Sequence, residues 1–517
     1  MIPVLDAQAI RKADAYTIAH DPIRSIDLME RAATRCVGRI LYWHGQGRFG
    51  DPSAVVYHVV SGMGNNGGDG LAIARLLHLN GLKVRVTRLA HRGSASPDNS
   101  ENWERASSSG IRMDSLSGNE HELTIGGNEI VIDALVGTGL NAPFSGWIID
   151  VIGMINRSER PVISIDMPSG LFAEDNRSND TDAIIKADLT LALEVPKLAF
   201  FLAENDRFVG DVEIVPIGLD AGFIAGLTTD HFLTETLDVI RLLRPRARFA
   251  HKGNFGHALI IAGGKGKMGA AVLASKAATR SGAGLVTSHV SINGAAVLQA
   301  TVPESMCSVD QGVDRIEDLP SIEPFSAVGI GPGIGTDDAT QMVLKRLIQA
   351  GSQALVIDAD ALNILAENPT WQAFLPPGTI LTPHPKEFDR FAGSPSGSGF
   401  ERLERASAMA QRLACVIVLK GAWTAVCDPQ GRVHFNPTGN PGMAKGGSGD
   451  ALTGLLTGLR AQGYGPLEAS VLGVYLHGAA GDIAAAELGM DGMTVGDVID
   501  AIPAAWVQLR AASEKSV

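Results

Sequence analysis

Again and again along this chain a short run of aliphatic and β-branched residues breaks off at a polar turn rich in glycine or proline. Residues 55–60 run into Ser61-Gly62-Met63-Gly64-Asn65-Asn66-Gly67-Gly68-Asp69-Gly70; a helical pattern follows at 71–79, then Gly81 and a second apolar run at 83–88. Residues 130–135 stop at Val136-Gly137-Thr138-Gly139, and residues 162–165 at Asp166-Met167-Pro168-Ser169-Gly170. A strand, a turn, a helix and a second strand pair in parallel, because the helix carries the chain back across the sheet before the next strand begins. The chain is therefore expected to fold as doubly wound α/β. Its polar turns should gather at the carboxyl edge of the sheet, where open α/β sheets bind ligands.

The same grammar restarts in the second half. Residues 259–262 run into Gly263-Gly264, an alanine-rich helix is expected at 270–280, and further strands at 285–287, 327–330, 355–357, 379–381 and 416–419. Residues 415–418 and 423–427 flank Lys420-Gly421-Ala422, a connection short enough for a hairpin. With 517 residues the chain exceeds what one core organises, so two domains are expected, 1–222 and 223–517. The break should lie between Asp220 and Asp230, where the apolar run ending Ile214-Val215-Pro216-Ile217 gives way to glycine and threonine.

A formal net charge of −13 argues against broad nucleic-acid or anionic-membrane binding, which needs a basic face. Cys36, Cys307, Cys415 and Cys427 show no metal-ligand spacing and lie mostly in apolar runs, so buried reduced thiols and a cytoplasmic location are expected. The opening residues lack the apolar core of a secretion signal, and no long uncharged apolar run follows.

The densest chemistry stands at Asn440-Pro441-Gly442-Met443-Ala444-Lys445-Gly446-Gly447-Ser448-Gly449-Asp450, directly ahead of an apolar helical pattern. Backbone N–H groups at a helix start carry partial positive charge, and glycines let them close on a phosphate. Asp450 would sit where those amides converge, placed to take a proton from a hydroxyl attacking phosphorus. The bland alternative is a glycine turn capped by an aspartate. In the first half Asn66, Asp133 and Ser169 could together supply oxygens to a monovalent cation; for Asp133 and Asp166 the competing reading is a helix cap.

The first-half motifs, with Glu194-Val195-Pro196-Lys197, resemble the NAD(P)H-hydrate epimerases over residues 7–219, which interconvert the R and S epimers of hydrated NADH and NADPH. The resemblance implies a Rossmann-like three-layer α/β/α domain with K+ on Asn66, Asp133 and Ser169. It also implies hydrate contacts from Asn65, Asn66, Gly67, Gly68, Asp69, Gly137, Thr138, Gly139, Leu140, Asn141, Ala142, Pro143 and Asp166, with Asp166 moving the proton. The second half resembles the ribokinase-like superfamily, and within it the ADP-dependent NAD(P)H-hydrate dehydratases. The match rests on Lys252 to Gly256, Lys267 to Ala271, Ser281 to Val286, the Gly331 loop, Asp358 to Leu362, Thr382 to Glu387 and the Asp450 motif. That resemblance implies hydrate contacts from Ala270, Gly333, His384 and Asp450, Asp450 being the base. Adenine nucleotide contacts would come from Lys420, Gly421, Ala422, Trp423, Thr424 and Gly449, with Mg2+ accompanying ADP. Lys445 and Ser448 depart from the family's usual threonines, and Lys445 is read as touching phosphate or solvated. The partners implied are NADHX, NADPHX and ADP, with no nucleic acid and no membrane, and a homo-oligomer is expected. The alternative is a ribokinase-like small-molecule kinase whose N-terminal half is a non-catalytic ligand-binding domain.

Overall fold

The computed structural model describes residues 1–21, 23–51, 53–91, 93–118, 123–351 and 354–515. The chain divides into two compact units, Ile2–Thr229 and Asp230–Val517, the second taking Met1. The division falls later than residue 222 and inside the expected 220–230 interval. Residues after 222 stay with the first unit because Phe223, Ile224 and Leu227 pack into its core.

In the first unit a two-residue strand, β1 (Ile2–Pro3), precedes helices α1 (Ala7–His20) and α2 (Ser25–Gly45). There follow β2 (Val56–Ser61), α3 (Asn65–Leu79), β3 (Lys83–Leu89), α4 (Pro97–Ser108), β4 (Arg112–Leu116), β5 (Glu129–Ala134), α5 (Trp147–Arg157) and β6 (Val162–Ile165). The unit closes with β7 (Leu189–Leu193), α6 (Asp206–Val209), β8 (Asp211–Val215) and α7 (Ala221–Ala225). The strands form one parallel sheet in the order β4-β3-β2-β5-β6-β7-β8. Alternation along β5 separates its two faces: Ile130 and Ile132 pack with residues of α2 and α3, and Val131 with Ile148, Val151 and Ile152 of α5. The unit is thus the expected three-layer α/β/α. From β2 the order runs one way to β3 and the other way to β5, so the loops after β2 and β5 part at a topological switch point and open a crevice.

The glycines at that crevice behave differently from expectation. Residues 65–70 are already the first turns of α3 rather than a loop ahead of it. A Cβ on Gly67 would stand 2.0 Å from the Gly62 carbonyl, one on Gly68 2.8 Å from Met29 Sδ, and one on Gly70 2.4 Å from Ala134 Cβ. These glycines serve close approach of the helix to its neighbours, and none has a positive φ.

The second unit contains β9 (His231–Leu233), α8 (Thr236–Leu242), β10 (His257–Ile261), α9 (Met268–Arg280), β11 (Leu285–Val290), α10 (Ile292–Thr301), β12 (Met306–Val309) and β13 (Ala327–Ile330). Next come α11 (Asp338–Ala350), β14 (Ala354–Ile357), α12 (Ala359–Glu367), β15 (Ile380–Leu381), α13 (Pro385–Phe391), α14 (Gly399–Leu413), β16 (Val416–Leu419), β17 (Ala425–Cys427) and β18 (Val433–Phe435). Three helices finish it: α15 (Ser448–Ala461), α16 (Pro466–Leu488) and α17 (Val495–Lys515). Its sheet runs β9-β18-β17-β16-β15-β14-β13-β10-β11-β12 and is parallel from β12 to β16. The β16–β17 pair is the expected hairpin, antiparallel through Val418 and Val426. Here the order reverses between β10 and β13, which sets a second switch point at the Gly263 and Gly331 turns.

Helix α15 is sunk into this unit: residues 451–459 are all buried. It approaches α9 so closely that a Cβ on Gly454 would stand 1.9 Å from the Ala274 carbonyl, and one on Gly458 2.0 Å from Ser281 Oγ. Gly454→Ala should therefore destabilise this unit by about 1–3 kcal/mol or more despite alanine's better helix propensity. A denaturant titration checks this, and an unchanged midpoint would refute the close contact.

The Lys252–Phe255 segment is a 3-10 turn just ahead of β10, at the end of that strand remote from Gly263. Cys36, Cys415 and Cys427 are buried and Cys307 is half-buried, all without disulfides. No helix among the described residues is long and apolar enough to cross a membrane.

Candidate functional site

The crevice at the first switch point is a cavity of about 350 Å³. Its polar lining comes from α1 (Arg11, Asp14), α2 (Ser25), α3 (Asn65, Asn66, Asp69), the turn after β5 (Thr138), the turn after β6 (Asp166) and the turn after β7 (Glu194). Ile10, Ile18, Leu28, Met29, Leu135, Leu193 and Ile217 supply the apolar wall. Of the expected hydrate residues, Asn65, Asn66, Asp69, Gly137, Thr138, Gly139 and Asp166 line the cavity. Gly67 and Gly68 are buried behind it, while Asn141, Ala142 and Pro143 are exposed and outside its lining.

Asp166 is held with unusual force. Its backbone has φ +67, a region that costs a residue with a Cβ about 1–2 kcal/mol. One carboxylate oxygen meets Lys197 Nζ at 2.5 Å and the other accepts from Thr138 N at 3.0 Å. Gly137 permits this, since a Cβ there would stand 2.5 Å from the Asp166 carboxylate. Lys197 is fully buried, and its other hydrogen bond goes to the Leu193 carbonyl. The sequence signal that marks it is a lone cation ahead of the apolar Leu198-Ala199-Phe200-Phe201-Leu202.

Around this pair the carboxyls resist ionisation. Burial, then the charge of Asp166, push Asp14 up to about 6, with Lys197 opposing. Asp69 opens onto the cavity yet is enclosed by protein; burial and the charges of Asp166, Asp14 and Asp98 hold it well above the usual carboxylate range. Glu194, also at positive φ, is structural: one of its oxygens accepts from the backbone N–H groups of Ile217, Gly218 and Leu219.

Asp133 is neither a helix cap nor a cavity wall. Fully buried at the end of β5, it accepts from Leu135 N, Ser164 Oγ, Ser169 N and Ser169 Oγ. Burial raises its pKa while these bonds lower it. Ser169 Oγ also bridges to Val136 N, and Asn66, in the amide orientation that satisfies its neighbours, accepts from Gly137 N and donates to the Ile165 carbonyl. Asn66, Asp133, Val136 and Ser169 thus offer only hard oxygens, and the buried Asp133 carboxylate makes no ion pair among the described residues. That donor set suits a monovalent cation such as K+, and contains no soft ligand.

In the second unit the ends of β14, β15 and β16 deliver a second cluster. Asp358, Glu387 and Lys420 meet there: Lys420 Nζ lies 2.8 Å from Asp358 and 3.8 Å from Glu387. Thr453 of α15 donates to the other Asp358 oxygen at 2.8 Å. Lys420 is therefore no surface-hairpin lysine; two carboxylates hold its charge, and their attraction outweighs its burial and raises its pKa. Gly449 faces it, a Cβ there standing 3.1 Å from Nζ. Gly421, Ala422 and Thr424 form the turn beside it, closed by Thr424 Oγ1 donating to the Gly421 carbonyl.

The glycine run opens α15 as expected, but Asp450 is not its cap. The N-cap is Gly447 at φ +98, where a Cβ would also strike Leu273 at 2.4 Å. Asp450 is half-buried, and among the described residues its carboxylate accepts no hydrogen bond and makes no ion pair. Burial and the charge of Asp358 push it up to about 6, against the pull of Lys420. An unbonded carboxylate of that basicity in a helix's first turn is poised to accept a proton near neutral pH.

Ala270 and Gly333 meet across the switch point, their β-positions 3.2 Å apart. Asp360 locks them by binding Lys267 Nζ at 3.1 Å and Gly335 N at 2.8 Å. His384 proves to be a helix cap: its Nδ1 accepts from Lys386 N and Glu387 N at the start of α13, while its Nε2 lies 3.4 Å from Glu387 Oε1. Lys445 neither reaches for a phosphate site nor stands free, since its Nζ donates to the carbonyls of Met490, Asp491 and Met493. His477 escaped the sequence reading. Buried on α16 near Lys420, with burial lowering its pKa to about 4, its Nε2 has no hydrogen-bond partner among the described residues.

Residues 258–504 match the family described as NAD(P)H-hydrate dehydratase, and residues 25–199 that described as YjeF-related protein N-terminus. The chain is 37% identical to the bifunctional NAD(P)H-hydrate repair enzyme Nnr of Moorella thermoacetica, over 97% of this chain and 96% of that protein. It is 34% identical to the Escherichia coli protein of the same name, over 87% of this chain and 85% of the relative. Among solved structures, the ADP/ATP-dependent NAD(P)H-hydrate dehydratase of Bacillus subtilis co-crystallised with ATP/Mg2+ is 31% identical, covering 53% of this chain and 97% of its own, with a TM-score of 0.46.

Proposed function

We propose a division of labour that starts from one premise: the chain belongs to the family of bifunctional NAD(P)H-hydrate repair enzymes. It interconverts the R and S forms of hydrated NADH and NADPH, and dehydrates the S form with ADP to give NAD(P)H, AMP and phosphate. The first activity is assigned to the Asp166 cavity of the first unit and the second to the Asp450 cluster of the second. The single observation that carries the second assignment is the unbonded, proton-avid Asp450 behind Gly447.

In the dehydratase, Asp450 removes the proton of the hydrate's hydroxyl as its oxygen attacks the β-phosphorus of ADP, expelling AMP. Gly446, Gly447 and Gly449 let backbone amides approach the charge on the transferring phosphoryl group. The ring nitrogen's lone pair then expels phosphate, and loss of a ring proton restores the reduced nicotinamide. Lys420, fixed by Asp358 and Glu387, holds the nucleotide with residues 421–424 and Gly449, and Ala270, Gly333 and His384 hold the hydrate. Mg2+ arriving with ADP would neutralise phosphate charge.

In the epimerase, a protonated carboxyl on Asp14 or Asp69 gives its proton to the departing hydroxyl, which leaves as water with the ring nitrogen's help. Water returns to the other face and loses a proton to Asp166. Two carboxyl environments in one cavity, one proton-holding and one lysine-paired, suit such paired acid and base work. K+ on Asn66, Asp133 and Ser169 would balance the buried Asp133 charge. Free thiols throughout support a cytoplasmic setting.

The test mixes the full chain with both epimers, with and without ADP, and follows NADH recovery. ADP-dependent recovery of both epimers is expected; recovery without ADP refutes the mechanism. Asp133→Ala, which strips Ser164, Ser169 and Leu135 of their acceptor, should leave the R form unconsumed while the S form still disappears. A small-molecule kinase with a silent first half would leave both epimers untouched.

A further inference from the structure

Helices α9 and α15 begin at the Asp450 cluster and end together at a separate cavity of about 390 Å³. Fourteen residues of α15 put roughly 20 Å between Asp450 and this cavity. Four guanidinium groups surround it, those of Arg244, Arg246, Arg280 and Arg510, in a chain whose net charge is −13. Phe255, Tyr464 and Trp506 complete its wall.

The four arginines are only partly neutralised. Arg244 pairs with Glu468 at 3.1 Å and Arg280 with Asp500 at 3.8 Å, both carboxylates being well exposed. Arg246 donates to the Gly282 carbonyl and to Gln462 Oε1, and Arg510 to the Arg244 carbonyl; neither has a carboxylate partner among the described residues. Aromatic faces hold the planes in place: Arg246 lies 4.0 Å from the Phe255 ring centre, Arg244 4.1 Å from Tyr464 and Arg510 5.9 Å from Trp506. Four positive groups against two exposed carboxylates leave a concentrated excess of positive charge. The guanidinium forks are preorganised for oxyanions, and the volume lies within the range of small-molecule sites.

We propose that this cavity is a second anion site, taking the pyrophosphate group of a nucleoside diphosphate or triphosphate. Arg246 and Arg510 bind the phosphate oxygens, and Arg280 gives up its loose contact with Asp500 to join them. The proposal does not rest on the catalytic assignment.

Equilibrium dialysis of the full chain with labelled ADP tests it. Two classes of site per chain are expected, and inorganic pyrophosphate should displace ADP from the weaker one. Arg280→Ala with Arg510→Ala should weaken that class roughly tenfold or more and leave the stronger one intact. If the double variant loses its near-ultraviolet circular dichroism, Arg510→Gln alone is titrated, with the same expectation. A single class that the double variant leaves unchanged, a weaker class indifferent to pyrophosphate, or a weaker class unchanged in the folded variant each overturns the proposal and leaves the arginines as helix-end caps; a single class lost in the double variant would instead remove ADP from the Asp450 cluster.

Discussion

Asp450→Ala eliminates ADP-dependent recovery of NADH, with a loss of about a thousandfold or more in kcat, while exchange between the two epimers continues at its normal rate. The direction follows from the isolation of that carboxylate. It caps no helix and pairs with no cation among the described residues, so its deletion removes a proton acceptor without removing a structural bond seen there. The pH profile carries the same signature. Since Asp450 is pushed up to about 6, dehydratase kcat/KM should decline as pH falls through that value, well above the ordinary carboxylate range. Stability moves oppositely. A carboxyl that binds its proton more readily when folded favours the folded state at low pH, and that contribution is lost as pH rises from its ordinary 3.8 through about 6. At neutral pH Asp450→Asn should thus unfold at a higher temperature than the unmodified chain while lacking dehydratase activity. Retained NADH recovery in either variant would remove Asp450 from the mechanism.

Lys197→Met unfolds the first unit at markedly lower denaturant, a loss of about 3–5 kcal/mol, and abolishes epimer exchange. Lys197 is fully buried and lies 2.5 Å from Asp166, so removing it strands a charge in a strained turn with only Thr138 N to answer it. Adding Asp166→Asn should restore much of the stability but none of the epimerase activity. That pattern separates a role in catalysis from a role in folding. The dehydratase, measured on the S form, should be unaffected by either substitution. A Lys197→Met chain with full stability and full exchange would show that the pair matters for neither.

The strand ends were readable from the sequence because buried parallel strands are continuous apolar runs that stop at glycine or a charged residue. Val162–Ile165, Ala327–Ile330 and Val416–Leu419 begin and end where the run does. What the runs could not reveal was why a glycine is there. Gly67, Gly68 and Gly70 read as a polar turn ahead of a helix, yet they lie in that helix and are small because the neighbouring backbone and side chains are within van der Waals reach, a fact of tertiary packing. The candidate sites divided in the same way. Asp133, Asp166, Asp358 and Asp450 announce themselves by standing at strand or helix ends. Their partners do not: Lys197 reaches Asp166 across 31 positions and Lys420 reaches Asp358 across 62. Lys445, sequestered by three carbonyls near residue 490, and His384, spent on capping α13, show that a polar side chain in a glycine- or proline-rich motif can be satisfied locally.

Every group in the Asp166 cavity belongs to the first unit, and every group around Asp450 to the second. One polypeptide therefore carries one copy of each catalyst, and gene dosage cannot change their ratio. Only their turnover numbers can be adjusted against each other. Selection on this protein should then act as on a matched pair: the epimerase need run no faster than its partner consumes the S form, and a slow dehydratase cannot be compensated by making more of it alone.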